Sequence, residues 1–268
     1  LTQYRSLRGE MLAGLERVIE SGRLILGEQG LRFEQAFADY LGGRVSTVGV
    51  NSGTDALVVI LMAMGIGPGD EVITVANTAV PTVSAIRMAG ATPVFCDVDP
   101  GTALMDLALL PPLVTERTRA VIAVHLFGNM VDIPRLRALV AARGVRVIED
   151  CAQSHGATLG SAMAGTLGDA AAFSFYPTKN LGAYGDAGLA ASEDAALVKD
   201  MKRIRMYGFD ESYYAEREGI NTRLDEMQAM VLNLKLPHLA AAVERRREIA
   251  ARYHAGLSER ITRAAAGP

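Results

Sequence analysis

Ala120-Val121-Ile122-Ala123-Val124, then Pro134 to Arg143, then Val145-Arg146-Val147-Ile148-Glu149 is the stretch that decides the fold. The outer two segments are short, apolar and largely β-branched, as buried strands are, and the middle one reads as a helix. Short buried strands alternating with helices build a mostly parallel sheet covered on both faces.

The alternation continues in both directions. Upstream, Val45–Val50 reads as a strand, Thr54–Met64 as a helix closed by Gly65, and Glu71–Val75 as a strand. Val80–Ala89 is a helix ending before Gly90, and Pro93–Val98 another strand. Two amphipathic helices precede them. One covers residues 10–20, with Leu12, Leu15, Val18 and Ile19 on one face and Ser21-Gly22 as its stop. The other runs from Leu31 to Leu41 and stops at Gly42-Gly43. Downstream, Ala170–Phe175 and Gly188–Ser192 are strands close enough to pair antiparallel. Residues 223–257 read as one long helix interrupted only by Pro237. There is no internal repeat and no low-complexity linker, and Thr262–Pro268 is alanine-rich without a core pattern. The expected fold is α/β, with a mostly parallel mixed sheet between helices.

Composition narrows the function. A chain of 268 residues, 50% hydrophobic and 21% charged, is too apolar for disorder and long enough for a full core. Its net charge of −3 is spread along the chain, so no nucleic-acid footprint is expected. The one basic run, Arg245-Arg246-Arg247, is flanked by Glu244 and Glu248 and reads as a solvated helix face. Cys96 and Cys151 sit among apolar residues and are expected as buried, reduced thiols. The segment Leu1–Arg5 carries no apolar leader. The longest apolar run, Ala56–Gly67, is shorter than the roughly 18 residues of a membrane span. A reducing, cytoplasmic setting without membrane contact is the expectation.

In open α/β sheets ligands collect beyond the carboxyl ends of the strands. Asp150 ends one strand, Ser174 lies near the end of another, and Asn51-Ser52-Gly53-Thr54 joins a strand to a helix. That turn offers backbone N–H groups and a helix dipole to an anion; its plainer reading is a cap by Ser52 or Thr54. Asp150 also has a plain reading as a cap. A carboxylate closing an apolar strand is otherwise costly unless paired, and a protonated pyridine nitrogen is an apt partner. Lys179, taken alone, is a surface lysine. It stands, however, in Ser174-Phe175-Tyr176-Pro177-Thr178-Lys179-Asn180-Leu181-Gly182, a few residues after a buried strand, in a loop that also holds Gly185 and Gly188. In a dry pocket beside a cationic ring its pKa falls, leaving a neutral amine as nucleophile and base. This set is how pyridoxal phosphate would be held: Lys179 as a Schiff base, Ser174 on the phosphate, Asp150 on the ring nitrogen.

Other chemistries find less support. No G-x-x-x-x-G-K-[ST] pattern occurs, and Gly65-Ile66-Gly67-Pro68-Gly69 follows a helix, so it is a stop rather than a dinucleotide turn. His125 and His155 read as hydrogen-bonding core residues, and Cys151 as an inert thiol. No His, Cys, Asp or Glu pair has metal-ligand spacing, so no metal is expected.

Six segments in order then carry a family resemblance. They are Gly53–Leu57, Pro68–Ile73, His125–Gly128, Glu149-Asp150-Cys151-Ala152-Gln153-Ser154, Ser174–Gly182 and Asn221-Thr222-Arg223-Leu224-Asp225-Glu226-Met227-Gln228. From Arg5 to about Leu257 the chain resembles the DegT/DnrJ/StrS sugar aminotransferases, within the aspartate-aminotransferase fold. The resemblance implies pyridoxal 5'-phosphate as cofactor, with Lys179 as the Schiff-base lysine and Asp150 as the ring-nitrogen partner. It implies Gln153 on the ring hydroxyl, Ala152 against a ring face, and Gly53, Thr54 and Ser174 as the phosphate cradle. Asn221 would reach the phosphate of a neighbouring subunit, so a homodimer with shared active sites is implied. The substrates would be an amino donor, glutamate, and a nucleotide-linked keto sugar. Residues 1–235 would form the large cofactor-binding domain, with 236–268 the connecting helix and the start of an incomplete small C-terminal domain.

Two departures stand out. In Asn77-Thr78-Ala79-Val80-Pro81, Ala79 occupies the place where the family commonly carries a ring-stacking aromatic. Family members also continue beyond this chain's end. Three rivals remain: a sugar dehydratase, which carries histidine in place of Lys179; a racemase or desulfurase on the same fold, which the motif order disfavours; and a non-catalytic pyridoxal phosphate-binding regulatory protein.

Overall fold

Alternation along each strand divides the apolar residues between two faces of one sheet. The computed structural model describes residues 2–210, 212–258 and 265. The seven strands of its main sheet are β1 (Ser46–Val50), β2 (Glu71–Val75), β3 (Thr92–Cys96), β4 (Thr118–Val124), β5 (Arg146–Asp150), β8 (Ala170–Ser174) and β9 (Gly188–Ser192). Two further strands, β6 (Thr158–Leu159) and β7 (Ala162–Met163), form a separate hairpin. The sheet order is β1-β9-β8-β5-β4-β2-β3, and the pairs from β8 through β3 are all parallel. Only β9 runs against the rest, pairing antiparallel with β1 and β8. The expected antiparallel pairing of β8 with β9 and the mostly parallel sheet are both observed.

The helices are α1 (Thr2–Glu20), α2 (Glu28–Tyr40), α3 (Gly53–Ala63), α4 (Val80–Met88), α5 (Ile133–Val140), α6 (Ala195–Ile204), α7 (Glu226–Lys235) and α8 (Leu239–Gly256). On one face Val48, Val50, Ala120, Ile122, Ile148, Ala170 and Ala172 pack against α3 and α6. Their neighbours one residue along face the other way. Ala171 and Phe173 join Phe33 and Phe37 of α2 and Ala229 and Leu232 of α7, while Val121, Ala123 and Val147 meet α5. Phe33, Phe37, Phe173 and Phe175 are fully buried and meet edge to face, so each contributes on the order of 1.5–3 kcal/mol by leaving water.

Three differences from the sequence reading have local causes. The long carboxyl-terminal helix is two helices, because Pro237 forces a 3-10 turn over Leu236–His238. α6 is an additional helix, capped by the Asp194 side chain, which accepts from the N–H groups of Ala196 and Leu197. The first helix begins at Thr2, well ahead of residue 10. The expectation for residues 262–268 lies outside the described residues, except at Ala265.

Candidate active site

β1, β5 and β8 point the same way, so their carboxyl ends gather on one edge of the sheet. There Ser52 caps α3, its Oγ accepting from the Asp55 N–H at 3.1 Å, and Gly53 opens the helix. Gly53 is needed for contact: a Cβ there would lie 2.7 Å from the Ser174 Cβ. Gly188, at the start of β9, is similarly tight against the Ser52 carbonyl. The α3 N-terminus and the end of β8 are thus pressed together by two residues without side chains.

A cavity of about 250 Å³ opens above this contact, lined by Ser52, Gly53, Thr54, Asp150, Ser174 and Lys179, with Ala79, Thr82, Ala152 and Tyr176 at its walls. Asp150 is 6% exposed, and its carboxylate is oriented by two donors. The Ala152 N–H reaches Oδ1 at 3.1 Å, and the Thr82 hydroxyl donates to Oδ2 at 2.8 Å. Because Thr82 gives its single proton to the carboxylate, the 2.8 Å contact between the Thr78 and Thr82 hydroxyls has Thr78 as donor. Lys179 sits in a turn in which its N–H donates to the Tyr176 carbonyl at 2.8 Å. Partial burial lowers the Lys179 pKa, and the nearby Asp150 charge opposes that fall.

Lys179 and Ala152 also border a second cleft, of about 490 Å³, lined by Gln153, His155, Asn180, Arg246 and Arg247 among others. Gln153 faces this cleft, its Oε1 accepting from the Phe127 N–H at 2.9 Å. His155 is buried against Phe37, Phe173 and Phe175, with no partner for either ring nitrogen among the described residues. The Ser174 backbone lies beside it but outside hydrogen-bond geometry. Burial, aided by the Lys179 charge, pushes its pKa down to about 3.

Five of the seven site residues expected from the sequence, Gly53, Thr54, Asp150, Ser174 and Lys179, therefore line one cavity, and Gln153 adjoins it across Lys179. Asn221 does not line it. It is exposed and bridges to Met206. Its neighbour Thr222 is tied to the β1–α3 turn, accepting from the Asn51 N–H at 3.0 Å and donating to Asp55 Oδ2 at 2.7 Å. Thr82 and Tyr176 were missed as wall residues. No sequence pattern marks Thr82, which reaches Asp150 only because α4 packs beside the β5 end. Tyr176 stood inside the quoted segment and could have been found there.

Behind the sheet, His125, Glu149 and Cys151 come within 4.8 Å of one another, a grouping that chain spacing does not disclose. Val131 N–H donates to His125 Nδ1 at 3.1 Å, so Nε2 carries the proton and donates to Glu149 Oε2 at 2.8 Å. The N–H groups of Gly165, Leu167 and Gly168 complete four donors to that carboxylate. Burial alone would raise the Glu149 pKa, but the His125 and backbone hydrogen bonds outweigh it and hold it below the usual value. Both cysteines are free and buried. Burial pushes the Cys151 thiol well up and Cys96 to about 11.

The first cavity has an anion-favouring end, at the α3 N–H groups and Ser174, and a cation-favouring group, Asp150, and Lys179 lines it as well. Such a donor set fits pyridoxal phosphate, whose phosphate and ring nitrogen need those two partners. No helix among the described residues is long and apolar enough to cross a membrane.

The DegT/DnrJ/EryC1/StrS aminotransferase family model matches residues 5–266. The chain is 48% identical over 260 residues to the dTDP-3-amino-3,4,6-trideoxy-alpha-D-glucose transaminase of Micromonospora megalomicea subsp. nigra, covering 97% of this chain and 69% of that one. It is 44% identical over 259 residues to a pleiotropic regulatory protein of Geobacillus stearothermophilus, covering 97% and 69%. The fold superposes with a TM-score of 0.95, at 41% identity, on the crystal structure of S. venezuelae DesV in complex with a ketimine intermediate. That match covers 100% of this chain and 72% of the other. The chain therefore belongs to the DegT/DnrJ/EryC1/StrS aminotransferase family.

Proposed function

We propose that the chain is a pyridoxal phosphate-dependent transaminase that moves an amino group from glutamate to a nucleotide-linked keto sugar. The observation that carries this reading is the shared cavity of Lys179, Asp150, Ser174 and the α3 N-terminus. The Micromonospora relative, named for a dTDP-sugar transamination, supports the substrate class.

When bound, pyridoxal 5'-phosphate supplies an electron sink that makes the proton on the amino-bearing carbon of the donor removable. The chain's residues do the rest. Asp150, held by Thr82 and the Ala152 N–H, keeps the ring nitrogen protonated. Gly53, Thr54 and Ser174 would hold the phosphate, Gln153 would meet the ring hydroxyl, and Ala152 would pack against the ring. Lys179 anchors the cofactor through its amine. Its free amine would take the proton from the donor's amino-bearing carbon and deliver it to the cofactor. Burial favours the neutral amine that this step needs. The same transfers run in reverse on the keto sugar.

Asn221 in this reading serves the partner's phosphate in a homodimer, consistent with its exposure outside the chain's own cavity. Residues 1–235 are the cofactor-binding domain. α8, of which only Leu239 is buried, begins the connection to a small C-terminal domain. Two free buried thiols suit a reducing cytoplasm.

A second reading, a cofactor-binding regulator without turnover, is favoured by the name of the Geobacillus relative. The test is a panel of keto-sugar nucleotides with glutamate, read by mass spectrometry for amino sugar and 2-oxoglutarate. A regulator would bind cofactor and release neither product. A dehydratase would release no 2-oxoglutarate.

A further inference from the structure

Opposite faces of α7 hold two separate parts of the molecule. On one face, Glu226 accepts from the N–H groups of Gly27, Gln29 and Gly30 at 2.9, 2.7 and 2.7 Å, fixing the start of α2. Seven residues on, Asn233 Nδ2 donates to the Gln29 carbonyl at 3.0 Å. On the other face, Gln228 Oε1 accepts from the Tyr184 N–H at 2.9 Å, and seven residues further Lys235 Nζ donates to the Gly182 carbonyl. Positions seven apart share a helix face, whereas 226 and 228 lie about 200° apart. The sides between them are apolar. Ala229 and Leu232 enter the phenylalanine core, and Met230 and Val231 pack on α1.

Gly182 and Tyr184 belong to the loop that carries Lys179. The loop is closed at its base by Phe175 N–H to the Ala187 carbonyl and by Ala183 N–H to the Phe175 carbonyl, both at 2.8 Å. A Cβ at Gly182 would lie 2.5 Å from the Pro177 carbonyl oxygen, so the turn is folded tightly on itself. Little slack separates the Gly182 carbonyl from the lysine three residues before it.

Lys235 is an expensive way to hold one carbonyl. It is 5% exposed, its ammonium lies 4.9 Å above the Tyr184 ring, and no carboxylate among the described residues stands within ion-pair distance. A buried charge is a poor stabiliser compared with an apolar side chain of similar volume. Its use lies in what it holds.

We propose that Lys235, together with Gln228, is a positioning residue that fixes the Gly182–Tyr184 turn and so sets where the Lys179 amine stands in the cavity it shares with Asp150. The inference rests on the transaminase reading for the chemistry that Lys179 performs. Neither residue lines the cavity, so both act through the loop.

The test uses Lys235→Met and Gln228→Leu with two readouts. The first is the pH dependence of Lys179 acetylation in the cofactor-free chain, followed by mass spectrometry. Asp150 is the charge that acts on Lys179; the other titratable or charged groups lining its two clefts are Tyr176, Asp186, His155, Arg246 and Arg247, and all are retained in each variant. Loosening the loop wets Lys179 and moves its titration midpoint up toward 10.5, the ordinary lysine value. The second readout is turnover. kcat falls about 10- to 100-fold, as for a misplaced reacting group, while KM changes less than about threefold. A folded Lys235→Met chain with the wild-type Lys179 titration and wild-type kcat overturns the proposal. If that variant does not fold, Gln228→Leu decides by the same readouts. A wild-type chain without turnover removes the transaminase reading, and the Lys179 titration then decides the positioning role alone.

Discussion

Glu149 and Asp150 are consecutive residues on β5 with opposite surroundings. Glu149 lies behind the sheet, 0% exposed, with four donors closing its carboxylate. Asp150 faces the cavity with two donors and open space for a third partner. Strand pleating puts them on different faces, and the number of donors separates their roles. A carboxylate whose lone pairs are all taken holds structure together; one left partly unpaired is placed to meet a ligand. Lys179 belongs to the open region and His125 to the closed one.

The largest effect expected is in the open region. Lys179→Ala abolishes transamination and the visible absorbance shift on adding pyridoxal phosphate, with the fold retained by circular dichroism; residual turnover would remove Lys179 from its role. Asp150→Asn leaves the cofactor bound but lowers kcat by about 10²-fold or more, as loss of a preorganised charge does. The same change has a signed consequence for titration. The Asp150 charge raises the Lys179 pKa, so its removal shifts the Lys179 midpoint to lower pH, measurable by acetylation in the cofactor-free chain.

Glu149→Gln should invert this pattern. It costs about 3–5 kcal/mol of stability in denaturant unfolding, because three backbone N–H groups and His125 lose an anion, yet turnover per folded molecule changes only a few-fold. The pH dependence follows from the depressed Glu149 pKa. Its contribution is present above 4.5 and lost as pH falls through the folded-state value, so the variant's acid-unfolding limb is flatter. A large loss of kcat without loss of stability would erase the distinction between the two carboxylates. The smallest effect is expected for Thr82→Val. It removes one hydrogen bond to a charge, so it should lower stability by about 1.5–3 kcal/mol in denaturant unfolding and slow kcat about tenfold.

What was legible in the sequence follows the physics that is local along the chain. β2 and β9 were read to the residue because apolar, turn-bounded runs of five are hard to mistake. Asp150, Ser174, Lys179 and the Gly53-Thr54 turn were legible because each flanks a strand end, and parallel strands bring such ends to one edge. α6 was missed although Asp194 and the Val198, Met201 and Ile204 spacing could have marked it. β6 and β7, two residues each, are too short for any pattern. The Thr82 hydroxyl, the donors around Glu149 and the two faces of α7 were not legible. Each joins residues far apart in sequence, and only packing decides which side chains meet.

The reversed strand β9 has a consequence for folding. It places the first strand of the sheet, β1, beside the last, with Ser46 opposite Ser192. The cavity needs the end of β1, the end of β5 and the loop between β8 and β9 at once, so most of the chain must be gathered before it exists. Contacts this distant in sequence form late and slowly. A ligand that binds there stabilises only chains whose sheet has closed, in proportion to its concentration over its dissociation constant. Cofactor uptake would then report, in a single optical signal, the completion of the fold.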